Sequence, residues 1–398
     1  MRVGILWKDD YPWEVRVEKI ACSLAEAGHE VFILCGNAQG RSRIEKVDRI
    51  HVRRLPATRS SFLNSMISIP FYLNPFWFRL ANHVVTQEQI DLLIIRDLPL
   101  IAVGLWLKRR HHLPLILDMA ENYPAMYREN LSVGGMRAVV LWVMKNPKLM
   151  AFVERKAIRA VDHTLVVVEE SARRVKGLMI PEGTISVVSN TPRVTESGAI
   201  RAPLNGQSRS FLRLVYVGAV QEGRGLEVVV RALRALHDKG QDVRLRVVGD
   251  GDYMKELTRL VRKERLVNAV EFMGWTLHTQ IMKYICDSDI GVIPHRKDAH
   301  TDTTIPNKLF DYMAAAKPVV VSNADPLERI VTEENCGLVF ASGSSKSLVE
   351  ILTRMMVDPV SRERMGQNGM EAVRRRYNWD CDAAVLRDVV ARVGSVST

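Results

Sequence analysis

Two short segments in the second half of the chain carry the residues best suited to chemistry. The first reads Val217-Gly218-Ala219-Val220-Gln221-Glu222-Gly223-Arg224-Gly225-Leu226. It follows a β-branched run and opens an amphipathic one, the pattern of a strand, a glycine-rich loop and a helix. Glycines let a backbone approach an anion closely, and a helix start presents free N–H groups to phosphate. Arg224 adds a fixed fork of donors. The spacing is neither GxGxxG nor a P-loop, so dinucleotide and ATP fingerprints do not apply, and an ordinary βα turn is the competing reading. The second segment is Thr304–Val320. Pro306 suits a helix start, and Asn307, Lys308 and Asp311 then fall within about one turn of each other. Lys308 offers a point charge for phosphate, and Asp311 offers two acceptor oxygens for vicinal hydroxyls such as those of a ribose. The competing reading is a solvated helix face with an i, i+3 ion pair. The two segments strengthen each other, because both are expected to open toward one crevice.

The elements that must hold these residues follow from periodicity. Arg2–Trp7, Glu30–Cys35, Asp91–Ile95, Pro114–Asp118, His163–Val168 and Ile185–Val188 are short aliphatic runs with weak alternation. Strands buried on both faces of a parallel sheet read this way. Val15–Ala27 repeats its apolar residues every three or four positions and stops at Gly28, which makes the first βαβ unit. Thr191–Ser208 holds two Pro and two Gly with little periodicity and reads as a linker. The alternation restarts with strands at Leu212–Val217, Val243–Val248, Val270–Phe272, Ile290–Pro294, Lys317–Val321 and Gly337–Phe340. Helices are expected at Leu226–Leu236, Tyr253–Glu264, Asn307–Ala315 and Ser345–Met356. The fold class is α/β, with two consecutive doubly wound units. The expected boundaries are residues 1–192, a linker at 193–209, a second domain at 210–380, and a last helix at 381–398 packing back on the first domain. In such sheets ligands bind at the carboxyl ends of strands.

Composition agrees with two soluble domains. The chain has 398 residues, 47% apolar and 25% charged, which excludes a disordered tail, a collagen and a polytopic membrane protein. Five scattered cysteines form no CxxC or zinc spacing, which points to a reducing compartment and no structural metal. The basic excess lies mainly in the first half: residues 1–195 hold 27 Lys/Arg against 19 Asp/Glu, and the remainder 29 against 26. A basic face suits a polyanion or an anionic membrane surface. The opening residues run from a short apolar strand straight into Lys8-Asp9-Asp10, unlike a signal peptide. Ser60–Phe78 is uncharged over nineteen residues, but its two Pro, two Asn and four Ser make it a poor spanning helix.

At this point the chain resembles a known family, the retaining nucleotide-sugar glycosyltransferases of family 4. The resemblance rests on Gly218…Arg224-Gly225, Val248-Gly249-Asp250-Gly251, Phe272-Met273-Gly274, and Pro306-Asn307-Lys308-Leu309-Phe310-Asp311-Tyr312-Met313-Ala314-Ala315-Ala316-Lys317-Pro318-Val319, with Tyr377-Asn378-Trp379 near the end. In the first half, Arg16-Val17-Glu18-Lys19 before Leu24–Val31, and Asp118-Met119-Ala120-Glu121-Asn122-Tyr123-Pro124, are similar to the family. The resemblance implies the GT-B fold, two Rossmann-like domains facing each other across a donor and acceptor cleft that closes on substrate. The family's paired glutamates fall on Thr303 and Asp311; the first carboxylate is lost, and Asp302 stands one residue away. Ala316 replaces the usual glycine, Arg224 the usual lysine, and Ala120 a frequent histidine.

The implied site divides accordingly. Gly218, Gly223, Arg224 and Lys308 are expected at the donor diphosphate, and Asp302, Thr303, Asn307, Asp311 and His295 at its ribose and sugar. Gly274 and Trp275 are expected at the base, and Arg16, Asp118 and Asn122 at the acceptor. Arg224, Lys308 and Glu121 are the catalytic candidates, with Asp118 as a second candidate base. Breaking a sugar–diphosphate bond leaves negative charge, so catalysis is expected to be mainly electrostatic. No cofactor is implied; a nucleoside-diphosphate sugar, UDP or GDP first, is the substrate. Asp287-Ser288-Asp289 imitates a metal-binding DxD but precedes a strand, and His111-His112 ends a basic helix, so no metal site is expected. The aromatic and basic residues of Ser60–Phe78 and Met136–Phe152 suit either packing over the sheet or an interfacial membrane segment. The second alternative implies a lipid-linked saccharide acceptor and a peripheral position at the cytoplasmic membrane face. The rivals are a nucleotide-sugar epimerase and a non-catalytic scaffold. Nucleic acid is disfavoured, since the basic half lacks a recognised module.

Overall fold

A computed structural model describes residues 1–12, 14–69, 74–129, 146–178, 183–193 and 210–395. The chain forms two compact units, Met1–Asn190 with Cys381–Thr398, and Thr191–Asp380. The expected linker at 193–209 lies, apart from Arg193, outside the described residues.

The first unit is an eight-stranded sheet. Its strands are β1 (Arg2–Leu6), β2 (Glu30–Cys35), β3 (Ile44–Val47), β4 (Ile50–Arg54), β5 (Leu92–Arg96), β6 (Leu115–Met119), β7 (His163–Val166) and β8 (Ile185–Val187), in the spatial order 3-4-2-1-5-6-7-8. All neighbours are parallel except the β3–β4 hairpin. Helices α1 (Val15–Glu26), α2 (Ser61–Ser68), α3 (Pro75–Gln87), α4 (Ile101–His111), α5 (Tyr123–Glu129), α6 (Pro147–Ala160) and α7 (Glu169–Lys176) connect them. Trp77 of α3, Leu93 and Ile95 of β5, and Leu115 and Leu117 of β6 share one buried core. The β3–β4 hairpin is not in the sequence reading. Its alternation is carried partly by Lys, Glu and Arg, and the buried positions of β4 include Arg54, which donates to the Tyr11 carbonyl at 2.8 Å.

The second unit is wholly parallel. Strands β9 (Leu212–Val217), β10 (Val243–Val248), β11 (Val270–Gly274), β12 (Ile290–Ile293), β13 (Val319–Ser322) and β14 (Gly337–Phe340) lie in the order 11-10-9-12-13-14. Helices α8 (Leu226–His237), α9 (Met254–Lys263), α10 (His278–Cys286), α11 (Lys308–Ala314), α12 (Asp325–Glu333), α13 (Ser345–Val357) and α14 (Pro359–Arg375) cover it. The last helix, α15 (Trp379–Ser395), belongs from Cys381 onward to the first unit.

Strand order reverses once in each sheet, between β1 and β5 and between β9 and β12. A crevice opens at the carboxyl ends of the strands at such a reversal. The glycine-rich loop follows β9, and Pro294-His295 follows β12, so the first of the two chemical segments leads directly from a switch point. The close approach there requires glycine. A Cβ on Gly225 (φ +74°) would lie 1.8 Å from the Pro294 carbonyl oxygen, and one on Gly249 (φ +141°) 2.1 Å from that of Gly218.

The second segment ends on a left-handed cap. After α11, the Ala316 N–H donates to the Met313 carbonyl at 3.0 Å and the Lys317 N–H to the Tyr312 carbonyl at 2.9 Å. This paired pattern is the Schellman motif, and it places Ala316 at φ +53°. The usual glycine of the resembled family meets this conformation without a Cβ; here alanine bears it at a cost of about 1 kcal/mol.

Candidate donor site at the second switch point

Four basic side chains converge beyond β9 and β12. Arg224, at the end of the glycine-rich loop, donates from Nη1 to His295 Nδ1 at 3.4 Å. A guanidinium only donates, so Nδ1 accepts and the neutral ring carries its proton on Nε2. His295 is 2% exposed and its Nε2 has no hydrogen-bond partner. Burial, with Lys308, Arg224 and His300 nearby, holds its pKa well below the usual histidine range. His300 is lowered in the same sense by burial, with Arg224 adding to it and Asp298 opposing.

Lys308 opens α11. Its ammonium lies 3.8 Å from the centroid of the Tyr216 ring, and a Cβ on Gly218 would come within 3.1 Å of its Nζ. The lysine is therefore laid across the mouth of β9, supported by an aromatic face that favours a cation. Burial and Arg224 still push its pKa well below that of a free lysine, and Asp311, one turn along α11, draws it partly back. Tyr216 itself is tied down, its hydroxyl donating to the Ala219 carbonyl at 2.7 Å. Tyr312 fixes α11 to β9 by accepting from the Val217 N–H at 2.9 Å. The result is two cations, Arg224 and Lys308, that repel each other beside two imidazoles, all partly withdrawn from water. An anion relieves both penalties.

The remaining donor-side residues separate into two groups. Gly223 (φ +83°) accepts from the Arg296 N–H at 2.9 Å, which joins the glycine-rich loop to the segment after β12. Asp311 and Asn307 lie at the start of α11, with Asn307 exposed. Gly274 (φ +68°) closes β11 by accepting from the Gly249 N–H at 2.8 Å, and Trp275 beside it is 74% exposed. Asp302 and Thr303 are engaged elsewhere. Asp302 accepts from the Asp325 N–H at 2.9 Å and pairs with Lys297 at 3.4 Å, while the Thr303 hydroxyl donates to the Ala299 and His300 carbonyls at 3.0 and 3.1 Å. Both side chains thus hold the short 3₁₀ turn Thr301–Thr303. The carboxylate of Asp287 binds Arg213 at 2.6 Å and Arg246 at 2.8 Å, and Asp289 accepts from the Arg213 N–H, so the DxD-like triplet is tied to the neighbouring strands β9 and β10.

The acceptor-side residues cluster in the first unit, beyond β5 and β6. Arg16 grips Asp118 with Nε at 2.9 Å from Oδ2 and Nη2 at 2.5 Å from Oδ1, and its Nη1 donates to the Ser189 carbonyl at 3.1 Å. Both side chains are buried. Burial would raise the Asp118 carboxyl, but Arg16 and Arg96 outweigh it and hold the group below the usual carboxylate range. A buried carboxylate stabilised this way is a poor base, so the structure corrects the expectation of Asp118 as a proton acceptor and makes it a support. Asn122 is buried as well and caps α5, accepting from the Ala125 N–H at 3.2 Å. Glu121, between them, is partly exposed. The sequence reading missed Arg96 and Asp97, which join this network, as well as Tyr216 and His300 at the donor cluster. A charged dipeptide directly after a buried strand was the available signal for the first two.

These features define an α/β protein of the GT-B class. The family model described as "Glycosyl transferase 4-like domain" matches residues 13–191, and "Glycosyl transferases group 1" matches 206–372. The chain belongs to the family 4 glycosyltransferases. It is 27% identical over 195 residues to the lipopolysaccharide core biosynthesis glycosyltransferase LpsD of Rhizobium meliloti, a match covering 49% of this chain and 53% of that protein. The chain spans about half the length of the curated relatives it matches. Among solved structures, sucrose-phosphate synthase from Thermosynechococcus elongatus aligns over 99% of both chains with a TM-score of 0.79 at 17% identity. HepE from Anabaena, solved in complex with UDP, aligns over 98% of this chain and 100% of its own with a TM-score of 0.72 at 14% identity.

The charge repulsion at Lys308 makes a linkage prediction. An anion bound beside Lys308 raises its pKa, so binding takes up protons wherever pH lies between the free and bound values. Affinity falls as pH rises through that window. Titration calorimetry of inorganic pyrophosphate in buffers of different ionisation enthalpy should show this uptake, and Lys308→Met should bind at least tenfold more weakly without it. Equal binding and equal proton uptake by the variant would contradict the assignment.

Proposed function

We propose that the protein is a retaining, metal-independent glycosyltransferase that moves a sugar from a nucleoside-diphosphate sugar to a saccharide acceptor in surface glycan assembly. The observation that carries this reading is the convergence of Arg224, His295, His300 and Lys308 at the β9/β12 switch point, with a glycine-only backbone beside them. A nucleoside diphosphate supplies the missing negative charge, and Asp311 supplies acceptors for its ribose hydroxyls. UDP and GDP are the first candidates, with the base near Gly274 and Trp275. Family membership, the LpsD match and the HepE complex with UDP support the donor class.

The chemistry follows from the charges. The bond from sugar C1 to the diphosphate oxygen breaks, and the electron pair leaves with the diphosphate. Arg224 and Lys308 stabilise that charge where it develops, which lowers the barrier without a metal. The acceptor hydroxyl oxygen bonds to C1 on the face the leaving group vacates, and its proton passes to the leaving phosphate, with Glu121 as the assisting carboxylate on the acceptor side. No protein nucleophile is required, and no cofactor is consumed.

The test of the donor reading is a thermal-shift panel of UDP, GDP, ADP, CDP and dTDP, on wild type and Asp311→Ala. A ligand at 100 times its dissociation constant stabilises by about 2.7 kcal/mol, a rise of several degrees for domains of this size. Selective stabilisation by one nucleotide, reduced in Asp311→Ala, is the expected result. No stabilisation by any of the five would favour a scaffold with the family's fold and none of its chemistry.

A peripheral membrane position, with a lipid-linked acceptor at the cytoplasmic face, is the second part of the proposal. The apolar segment Ser60–Phe78 divides in the structure. Trp77 is buried and Ile67 and Phe78 pack against the core, whereas Phe62, Leu63 and Met66 of α2 and Phe76 of α3 stand exposed, with Arg59 and Arg79 exposed alongside. Phe152 on α6 is exposed with Lys156 5.7 Å from its ring. Phe71, Tyr72, Leu73 and residues 136–145 of the second segment lie outside the described residues. Among the described residues no helix is long and apolar enough to cross a membrane. Exposed apolar side chains flanked by arginines suit an interfacial position. Each basic residue near an anionic surface contributes about 1 kcal/mol, so Arg59→Ser with Arg79→Ser should weaken binding to phosphatidylglycerol vesicles roughly thirtyfold. Sedimentation with such vesicles that is unchanged in the double variant would remove the membrane proposal.

A further inference from the structure

Asp97 is buried in a backbone conformation that aspartate rarely adopts. It follows β5 at the β1/β5 switch point, it is 3% exposed, and its backbone has φ +65° and ψ 172°. That region is essentially reserved for glycine, and holding another residue there costs on the order of 1–3 kcal/mol. A glycine at 97 would remove the strain, so the carboxylate must be needed where it is. Its contacts show what it holds. The Asp97 N–H donates to the Asp118 carbonyl at 2.8 Å, which continues the β5–β6 pairing beyond the last strand residue. Oδ1 accepts from the Ala120 N–H at 3.1 Å, and Oδ2 pairs with Arg96 Nη1 at 2.7 Å. Arg96 also reaches Asp118 Oδ2 at 3.5 Å and Glu14 Oε1 at 3.8 Å. Asp118 is gripped in turn by Arg16, and Asn122 caps α5. Every residue flanking Glu121 is therefore anchored, and the anchor on its amino-terminal side is Asp97.

We propose that Asp97 is a positioning residue that fixes the turn Ala120–Asn122 and so sets Glu121 toward the acceptor hydroxyl. The strained backbone aims the carboxylate at the Ala120 N–H. The ion pair with Arg96 falls on Oδ2, while Oδ1 is the oxygen on the turn. The inference rests on the reading of the protein as a glycosyltransferase with Glu121 on the acceptor side, and it adds a residue that touches neither donor nor acceptor.

Two variants of the full chain test it. Asp97→Ala removes the acceptor for the Ala120 N–H, while Asp97→Asn keeps an oxygen there and tolerates positive φ better than most residues. The readouts are Tm, hydrogen exchange of the peptide covering residues 119–126, UDP and GDP binding, and hydrolysis of UDP-glucose, UDP-N-acetylglucosamine and GDP-mannose with water in place of the acceptor. Asp97→Ala should expose the Ala120 amide to exchange and lower kcat at least tenfold, with donor KM and nucleotide binding within twofold of wild type. Asp97→Asn should recover at least a third of the wild-type kcat. Turnover by Asp97→Ala within twofold of wild type overturns the proposal, as does a loss in Asp97→Asn equal to that in Asp97→Ala at unchanged Tm. A wild-type protein that binds no nucleotide and turns over no donor overturns the functional reading itself, and the proposal with it.

Discussion

The structure depends on a local imbalance of charge held at a place where only glycine backbone fits. Beyond β9 and β12, Arg224 and Lys308 are brought together beside His295 and His300, only partly offset by Asp311 and Asp298, and burial makes the repulsion costly. Proteins do not keep such an arrangement for stability, because partly buried like charges favour their neutral forms. It persists because the fold leaves little freedom around it. Gly225 must pass against the Pro294 carbonyl, Gly249 against that of Gly218, and Tyr312 ties α11 to the end of β9. Each of these constraints directs the same groups at one point, and a diphosphate is the ligand whose charge resolves the conflict.

The first unit solves the opposite problem. At its own switch point the charges are paired: Arg16 with Asp118, Arg96 with Asp97, Asp118 and Glu14. Removing one partner from a buried pair leaves the other uncompensated, so the pairs hold one another in place, and Asp118, held below the usual carboxylate range by Arg16 and Arg96, is a poor base. What it offers to chemistry is placement. Backbone strain sits at Asp97, whose carboxylate accepts from the Ala120 N–H in the turn that carries Glu121. The two units thus use the same topological feature differently, one to expose charge to a ligand and the other to lock a loop.

Much of this was legible in the sequence, for physical reasons that can be named. The strands Glu30–Cys35, Leu212–Val217 and Val243–Val248 are mostly aliphatic runs, largely buried on both faces, and that hydrophobicity bounds them. Gly218 to Gly225 and Pro306 to Asp311 were visible because glycine, proline and charge fall at the junctions between elements. Tyr216 was not, since inside a strand a tyrosine reads only as a good β-former, and it takes the sheet and α11 together to bring Lys308 over its ring. Arg96-Asp97 left a signal as a charged pair at a strand end, but the strain at Asp97 did not, because positive φ at an aspartate leaves no trace in composition. The β3–β4 hairpin escaped because a buried arginine, Arg54, occupies a position where alternation predicts an apolar side chain. Asp302 shows the limit of substitution by proximity in sequence: one residue from the expected carboxylate position, it is bound to the Asp325 N–H and Lys297.

The central claim is that the cationic cluster after β9 and β12 receives the diphosphate of a nucleotide. A crystal structure of the full chain soaked with the nucleoside diphosphate that stabilises it most tests that claim directly. Phosphate oxygens are expected within hydrogen-bond distance of the Arg224 guanidinium and the Lys308 ammonium, beside the Gly218 backbone, with the ribose hydroxyls on Asp311. A nucleotide bound elsewhere, or bound with its phosphates turned away from Arg224 and Lys308, would contradict it.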